Sequence, residues 1–293
     1  MRSVRLRVLF STSCIFTLTV LSLDMKRLIV GLLATLNSAA SYGQVAPVSQ
    51  WQCDMMKKNK VLNSGAPVSC DRLSKVDFDF VNFKGETQQG NMIVLDVIAP
   101  SVEQIFLELK QRYFPLHSAR LMREFNGDDN ASMEANNSSA FNARPITGGG
   151  GWSKHAYGVA IDINPVQNPF LAFDSNGTIT VKPSQSATSY VNRTRFRARN
   201  DIERRGMAED VVELFAHHGF MIWGGDWNTP IDTQHFEVGS RKFVNQLLSK
   251  PQPEAKVLFE RYVESYRQCF NKNKGEGAEK ARAVCAKKTV GTF

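Results

Sequence analysis

Cysteine is scarce in this chain, basic residues form no dense stripe, and no apolar run beyond residue 43 is long enough to cross a bilayer. Each shortage excludes something. Of five cysteines, Cys14 falls in an N-terminal leader, and the other four (Cys53, Cys70, Cys269 and Cys285) show no C-x-x-C spacing, which argues against a four-thiolate zinc site. Glycine and proline follow no period, and a content of 42% hydrophobic and 22% charged residues excludes a collagen-like or wholly disordered protein. There is no internal repeat. Half of the net charge of +8 sits in residues 1–43, where Arg2, Arg5, Arg7, Lys26 and Arg27 face only Asp24. The remaining surplus suits an anionic partner such as a bacterial wall but is too thin for a dedicated nucleic-acid binder.

What is present begins with a targeting pattern. Met25-Lys-Arg, the apolar run Leu28–Leu36 and the small residues Ser38, Ala39 and Ala40 form the three regions of a secretory signal. Upstream, Val8–Leu23 is a second apolar stretch, short for a membrane span and closed by Asp24, Lys26 and Arg27. Translation from Met25, or an extended leader or anchor over residues 1–24, are the two readings. Either way the expected product is exported, periplasmic or extracellular, with no stable membrane insertion after leader removal. An even set of four cysteines then suggests disulfides. Three connectivities exist, and the short loops favour Cys53 with Cys70 and Cys269 with Cys285.

Four segments are expected: a leader over 1–43, an extension over 44–85, a catalytic domain over 86–250 and a helical extension over 251–293. Val76–Phe83 alternates as a half-buried strand. After Met92–Ile98, Ser101 is the expected N-cap of a helix carrying Val102, Ile105, Phe106 and Leu109. Asn126–Trp152 is a long polar stretch ending in Gly148–Gly151, of the kind that is usually functional or disordered. Gly158–Asn164 reads as a two-faced strand, Asn176-Gly177 as a hairpin turn, and Ala208–Phe220 as a helix ended by Gly219. Glu254–Phe270 and Glu279–Ala286 read as two helices that Cys269 and Cys285 could staple.

The chemistry concentrates in histidine and aspartate. His155 and Asp162 are seven apart, an odd spacing that would send them to opposite faces of one straight strand. A turn at Gly158 resolves this, because it sets His155 before the strand and Asp162 on its polar face while Val159, Ile161 and Ile163 enter the core. His235 lies on another two-faced strand, His-Phe-Glu-Val. Two imidazoles and a carboxylate are a three-ligand zinc set that leaves a fourth position open, as catalytic sites do.

Ser153-Lys-His155-Ala-Tyr-Gly158-Val-Ala160-Ile-Asp162 fits S-x-H-x-x-G-x-A-x-D, and Trp223-Gly-Gly-Asp226-Trp227 with Asp232-Thr-Gln-His235-Phe236 fits its usual downstream companion. Together they resemble the D-alanyl-D-alanine carboxypeptidase and L-alanyl-D-glutamate peptidase family of zinc enzymes, whose fold is shared with lysostaphin and the hedgehog signalling domain. The resemblance spans about Met92 to Val238. It implies an α+β fold in which a small antiparallel sheet, flanked by helices, carries Zn2+ on His155, Asp162 and His235. It makes Asp232 the catalytic acid–base group and Arg144 the group that polarises the scissile carbonyl or holds a substrate carboxylate; Glu237, two residues beyond His235 on the same strand face, is the next candidate for the base. Ser153, Tyr157 and Trp227 are expected to touch substrate, and Asp226 to orient a ligand histidine from behind.

The implied partner is a peptidoglycan stem peptide and the first-choice activity is that of a D-alanyl-D-alanine carboxypeptidase. Relatives of that branch commonly carry Glu at the position of Asp232, whereas peptidases resembling phage endolysins carry Asp. An endopeptidase cutting inside the stem is therefore the enzymatic alternative. A zinc-dependent wall-binding module without turnover is the non-enzymatic one.

Overall fold

Between Leu73 and Val81 the chain alternates Val76, Phe78 and Phe80 inward with Lys75, Asp77 and Asp79 outward, and this period of two makes it a strand. The computed structural model describes residues 43–146, 149–195 and 203–293. The leader ahead of Gly43, Gly148 of the glycine run, Arg197 and Arg199 lie outside the described residues. The first sheet is antiparallel, in the order β1 (Gln44–Pro47), β2 (Leu73–Val81), β3 (Thr87–Leu95). A helix α1 (Gln50–Lys58) lies between β1 and β2, opened by a capping box in which Ser49 and Gln52 satisfy each other's backbone.

The next helix, α2 (Ala99–Gln111), buries Val102, Ile105, Phe106 and Leu109, and its Phe106 ring stacks on Phe78 with centroids 3.7 Å apart. Ser101 is not its N-cap. The helix starts two residues earlier with Pro100 in its first turn, where a missing N–H costs nothing and a fixed φ helps.

The polar stretch after Asn126 contains a short helix α3 (Asp129–Glu134), capped by the Asp128 side chain. Two-residue strands β4 (Ser118–Ala119) and β5 (Asn137–Ser138) pair parallel. A second antiparallel sheet is ordered β6 (Ala160–Asp162), β11 (His235–Glu237), β9 (Ile222–Trp223). The hairpin of β7 (Phe170–Phe173) and β8 (Ile179–Lys182) turns at Asn176-Gly177 and forms a third sheet with β10 (Ile231–Asp232). The helix expected over 208–220 is shorter: a tight turn at Ala208–Asp210 precedes α4 (Val212–His217), and Gly219 at φ +98° ends the segment.

Three helices close the chain: α5 (Arg241–Ser249), α6 (Gln252–Asn273) and α7 (Ala278–Thr292). Helix α5 was not foreseen, although Ser240 caps it by accepting from Phe243 N and Phe243, Val244 and Leu247 are buried. Both expected disulfides are present, Cys53–Cys70 and Cys269–Cys285, with Cα separations of 5.9 and 5.6 Å. Arg72 ties distant segments together. Its guanidinium pairs with Asp96 at 2.8 Å and donates to the carbonyls of Leu247, Leu248 and Lys250 at the end of α5, where a cation complements the helix terminus. Among the described residues, no helix is long and apolar enough to cross a membrane.

The turn that the spacing of His155 and Asp162 requires is made by Gly158, at φ +67°. Its carbonyl accepts from Leu95 N at 2.8 Å, which anchors the turn to the end of β3. A Cβ there would lie 2.7 Å from Leu95 N and 3.1 Å from the Val94 carbonyl carbon, both backbone atoms that cannot swing aside. Gly158→Ala therefore combines a left-handed strain of about 1–2 kcal/mol with this clash. We expect it to lower unfolding stability by at least about 2 kcal/mol in denaturant melts. A loss of a few tenths would show that the turn is not constrained.

Candidate metal centre and its cavity

Ser153 opens the site by capping a tight helical turn, Lys154–Tyr157, its Oγ accepting from His155 N at 3.3 Å. Gly158 then reverses the chain into β6, whose Val159–Ile161–Ile163 side is fully buried. In the β6–β11 ladder Asp162 stands directly opposite His235, and Ile161 opposite Phe236. Phe236 is buried and stacks on Phe215 at 4.0 Å, so the apolar side of β11 fixes which way His235 points.

His155, Asp162 and His235 are 3, 5 and 6% exposed, and one ligand-type atom from each lies within 4.8 Å of the others. Asp162 Oδ2 is 3.1 Å from His155 Nε2 and Asp162 Oδ1 is 3.0 Å from His235 Nδ1, while those two nitrogens are 3.2 Å apart. The outer nitrogens are engaged elsewhere. His155 Nδ1–H donates to the Ala140 carbonyl at 2.6 Å, and His235 Nε2–H donates to Glu237 Oε2 at 3.1 Å. Burial alone would raise the Asp162 pKa, but the two histidines outweigh it and hold the carboxylate below its usual range. Burial likewise opposes charge on His235, yet its bonds to Asp162 and Glu237 push it up to about 10. Two imidazoles and a carboxylate, buried and converging, fit the donor set of a tetrahedral zinc ion with one position open.

The triad opens into a cavity of about 660 Å³ that Asp232, Arg144, Ser153 and Trp227 also line. Asp232 sits on β10, and its Oδ1 is buried without a protein partner. Burial, reinforced by the Asp162 charge, pushes its pKa up to about 7. The Trp-Gly-Gly motif has a physical reason here. A Cβ on Gly224 would lie 2.3 Å from the Asp232 carbonyl oxygen, so only glycine lets the two segments meet.

Arg144 reaches Asp129 at 2.7 Å across the cavity wall, and Trp227 lies 5.4 Å from the His235 ring. Two expectations are corrected. Asp226 does not back a ligand histidine: Arg282 on α7 takes its carboxylate at 2.9 Å, and the Ala140 carbonyl and Glu237 perform the expected task. Tyr157 does not line the cavity but packs on the core, with the Arg241 guanidinium 6.0 Å from its ring centre. His217 and His218 serve elsewhere, on the Glu213 carbonyl and the Glu108 carboxylate. Arg193 is likewise structural, clasped by Glu209, the Gln167 carbonyl and Asn168.

Sequence reasoning missed Lys154, which is 6% exposed and donates to the Val238 and Gly239 carbonyls. It also missed the role of Asp129. For Glu237, the signal was its place two residues beyond His235 on the same strand.

Zinc titrated into metal-free protein should raise its stability by about 2.7 kcal/mol at a free concentration one hundred times Kd, and a chelator should reverse the gain. His235→Ala should show no such rise in thermal melts. An equal rise in the variant would move the binding site elsewhere.

Residues 147–238 match the family model described as D-alanyl-D-alanine carboxypeptidase. Neither a curated protein nor a solved structure matches the chain at a significant level. The matched segment contains His155, Asp162, Asp232 and His235, the residues that converge on the cavity. Over this segment, about a third of its length, the chain is similar to the D-alanyl-D-alanine carboxypeptidase family.

Proposed function

We propose that the protein is an exported zinc peptidase of peptidoglycan stem peptides, acting foremost as a D-alanyl-D-alanine carboxypeptidase. The observation that carries this reading is the convergence of His155, Asp162 and His235 on a cavity shared with Asp232, inside the segment matched to that family. The two imidazoles and the carboxylate on a small antiparallel sheet also support kinship with the fold of lysostaphin and the hedgehog signalling domain.

His155, Asp162 and His235 would hold the zinc ion. When bound, zinc supplies a Lewis acid that polarises a carbonyl and makes water a better nucleophile near neutral pH. Asp232 takes the proton of the attacking water on Oδ1, its oxygen without a protein partner, and returns it to the leaving amine. Glu237 is a poor rival for this task, since His235 holds its Oε2 and Lys154 stands 3.5 Å from its Oε1. Arg144 offers its guanidinium to the scissile carbonyl or to a substrate carboxylate, and Asp129 steadies it until substrate arrives. Ser153 accepts from the His155 backbone and keeps its hydroxyl proton for a substrate oxygen. Trp227 and Met133 supply apolar lining for small alanyl side chains.

The aspartate at 232 favours one second reading, cleavage inside the stem. Mass analysis of digested wall fragments separates the two. Loss of a single alanine from pentapeptide stems supports the carboxypeptidase, and release of a larger piece overturns it in favour of the endopeptidase.

Asp232→Asn should lower kcat by ~10²–10⁴-fold while zinc content and folding stay near wild type, because the amide cannot accept the proton. Near-normal turnover would remove Asp232 from the mechanism. Export is supported by the pattern from Met25 to Ala40 and by the two formed disulfides. The mature protein should begin near residues 41–44 and show no free thiol under denaturing, nonreducing conditions. Four reactive thiols would contradict it.

A further inference from the structure

We propose that Lys154 and Glu237 form a positioning pair that fixes His235 as a metal ligand through Nδ1. The inference rests on the zinc reading above and concerns residues on its outer side. On β11, alternation sends His235 and Glu237 to the same side of the strand, which allows Nε2–H of the imidazole to donate to Glu237 Oε2 at 3.1 Å. The other carboxylate oxygen is 3.5 Å from Lys154 Nζ. That ammonium also donates to the Val238 and Gly239 carbonyls, at 2.9 and 2.5 Å.

A buried ammonium is costly unless it is paired and hydrogen-bonded, and Lys154 has both kinds of partner. Its position in the chain gives the arrangement a purpose. Lys154 directly precedes His155, whereas Glu237, Val238 and Gly239 stand two, three and four residues after His235. One ammonium therefore joins the turn that carries one ligand to the strand end that carries another.

A carboxylate that accepts from one ring nitrogen fixes which nitrogen bears the proton, and so which one presents a lone pair. With Nε2 protonated toward Glu237, Nδ1 is the nitrogen facing Asp162 and His155. The Ala140 carbonyl does the same for His155 with the nitrogens exchanged, leaving Nε2 inward. The two ligands are thus oriented by different means, a neutral carbonyl and a charged pair. Losing the Glu237 acceptor should affect His235 alone.

The test uses the full mature chain and zinc as the probe, in competition with a chromogenic chelator. Glu237→Met, which keeps volume but cannot accept, should weaken zinc binding about 10–100-fold. Glu237→Gln, whose amide oxygen still accepts from Nε2–H, should recover most of the affinity. In nitrogen–proton correlation spectra of zinc-loaded protein, wild type and Glu237→Gln should show a slowly exchanging His235 Nε2–H. Glu237→Met should lose it while the His155 Nδ1–H signal persists.

Wild-type affinity in Glu237→Met, or equal losses in both variants, would overturn the proposal. Absence of a protected His235 Nε2–H in wild type would overturn it without recourse to any variant. Wild-type protein that binds no zinc would instead overturn the zinc reading itself.

Discussion

The pairing of β6 with β11 is the constraint on which the site depends. Opposite residues on antiparallel strands have Cβ atoms about 4.5–5.5 Å apart. Setting Asp162 against His235 therefore brings a carboxylate and an imidazole into contact across 73 residues of chain. A slip of one residue would put Ile161 or Ile163 there and send the histidine into the core. The register is held from the apolar side, where Ile161 and Phe236 face each other and Phe236 stacks on Phe215. Packing free energy and ligand geometry are thus the same fact seen from two faces of one short sheet.

Around that sheet the molecule solves a charge problem. Two imidazoles and several carboxyl groups are buried together, and each must be compensated where water is scarce. Asp162 is compensated by both histidines, and Glu237 by His235 and Lys154. Asp232 is the exception: His235, Gln234 and His155 offset only part of its desolvation and of the Asp162 repulsion, so its charge is pushed toward neutrality. A group left only partly compensated among satisfied neighbours is a natural proton carrier, and it lies in the same cavity as the ligand set.

Much of this was legible in the chain. The odd spacing of His155 and Asp162 required a bend, and glycine was the only residue between them able to adopt a positive φ cheaply. Short loops pointed to both disulfides. What was not legible depended on long-range packing. Asp226 looked available to a histidine only because the position of α7, and hence of Arg282, is not encoded near residue 226. Tyr157 looked like a cleft residue until α5 placed Arg241 by its ring. Lys154 reads as a surface residue from composition, since a buried lysine is inferred only from acceptors more than eighty residues away. The start of α2 was misjudged for a local reason, a proline that joins the first turn where an N-cap was expected after it.

The two disulfides close covalent rings over separations of 17 and 16 residues, and neither ring encloses a candidate ligand. The segment from Asp162 to His235 is about four times longer, and nothing covalent bridges its ends. Closing it costs about 1.2 kcal/mol more chain entropy than closing either short ring, at about 0.6 kcal/mol per doubling. A cation gripping both ends would act as a third, reversible cross-link over the longest of the three rings. Reductant and chelator would then loosen different parts of the same molecule, the one its flanks and the other its centre.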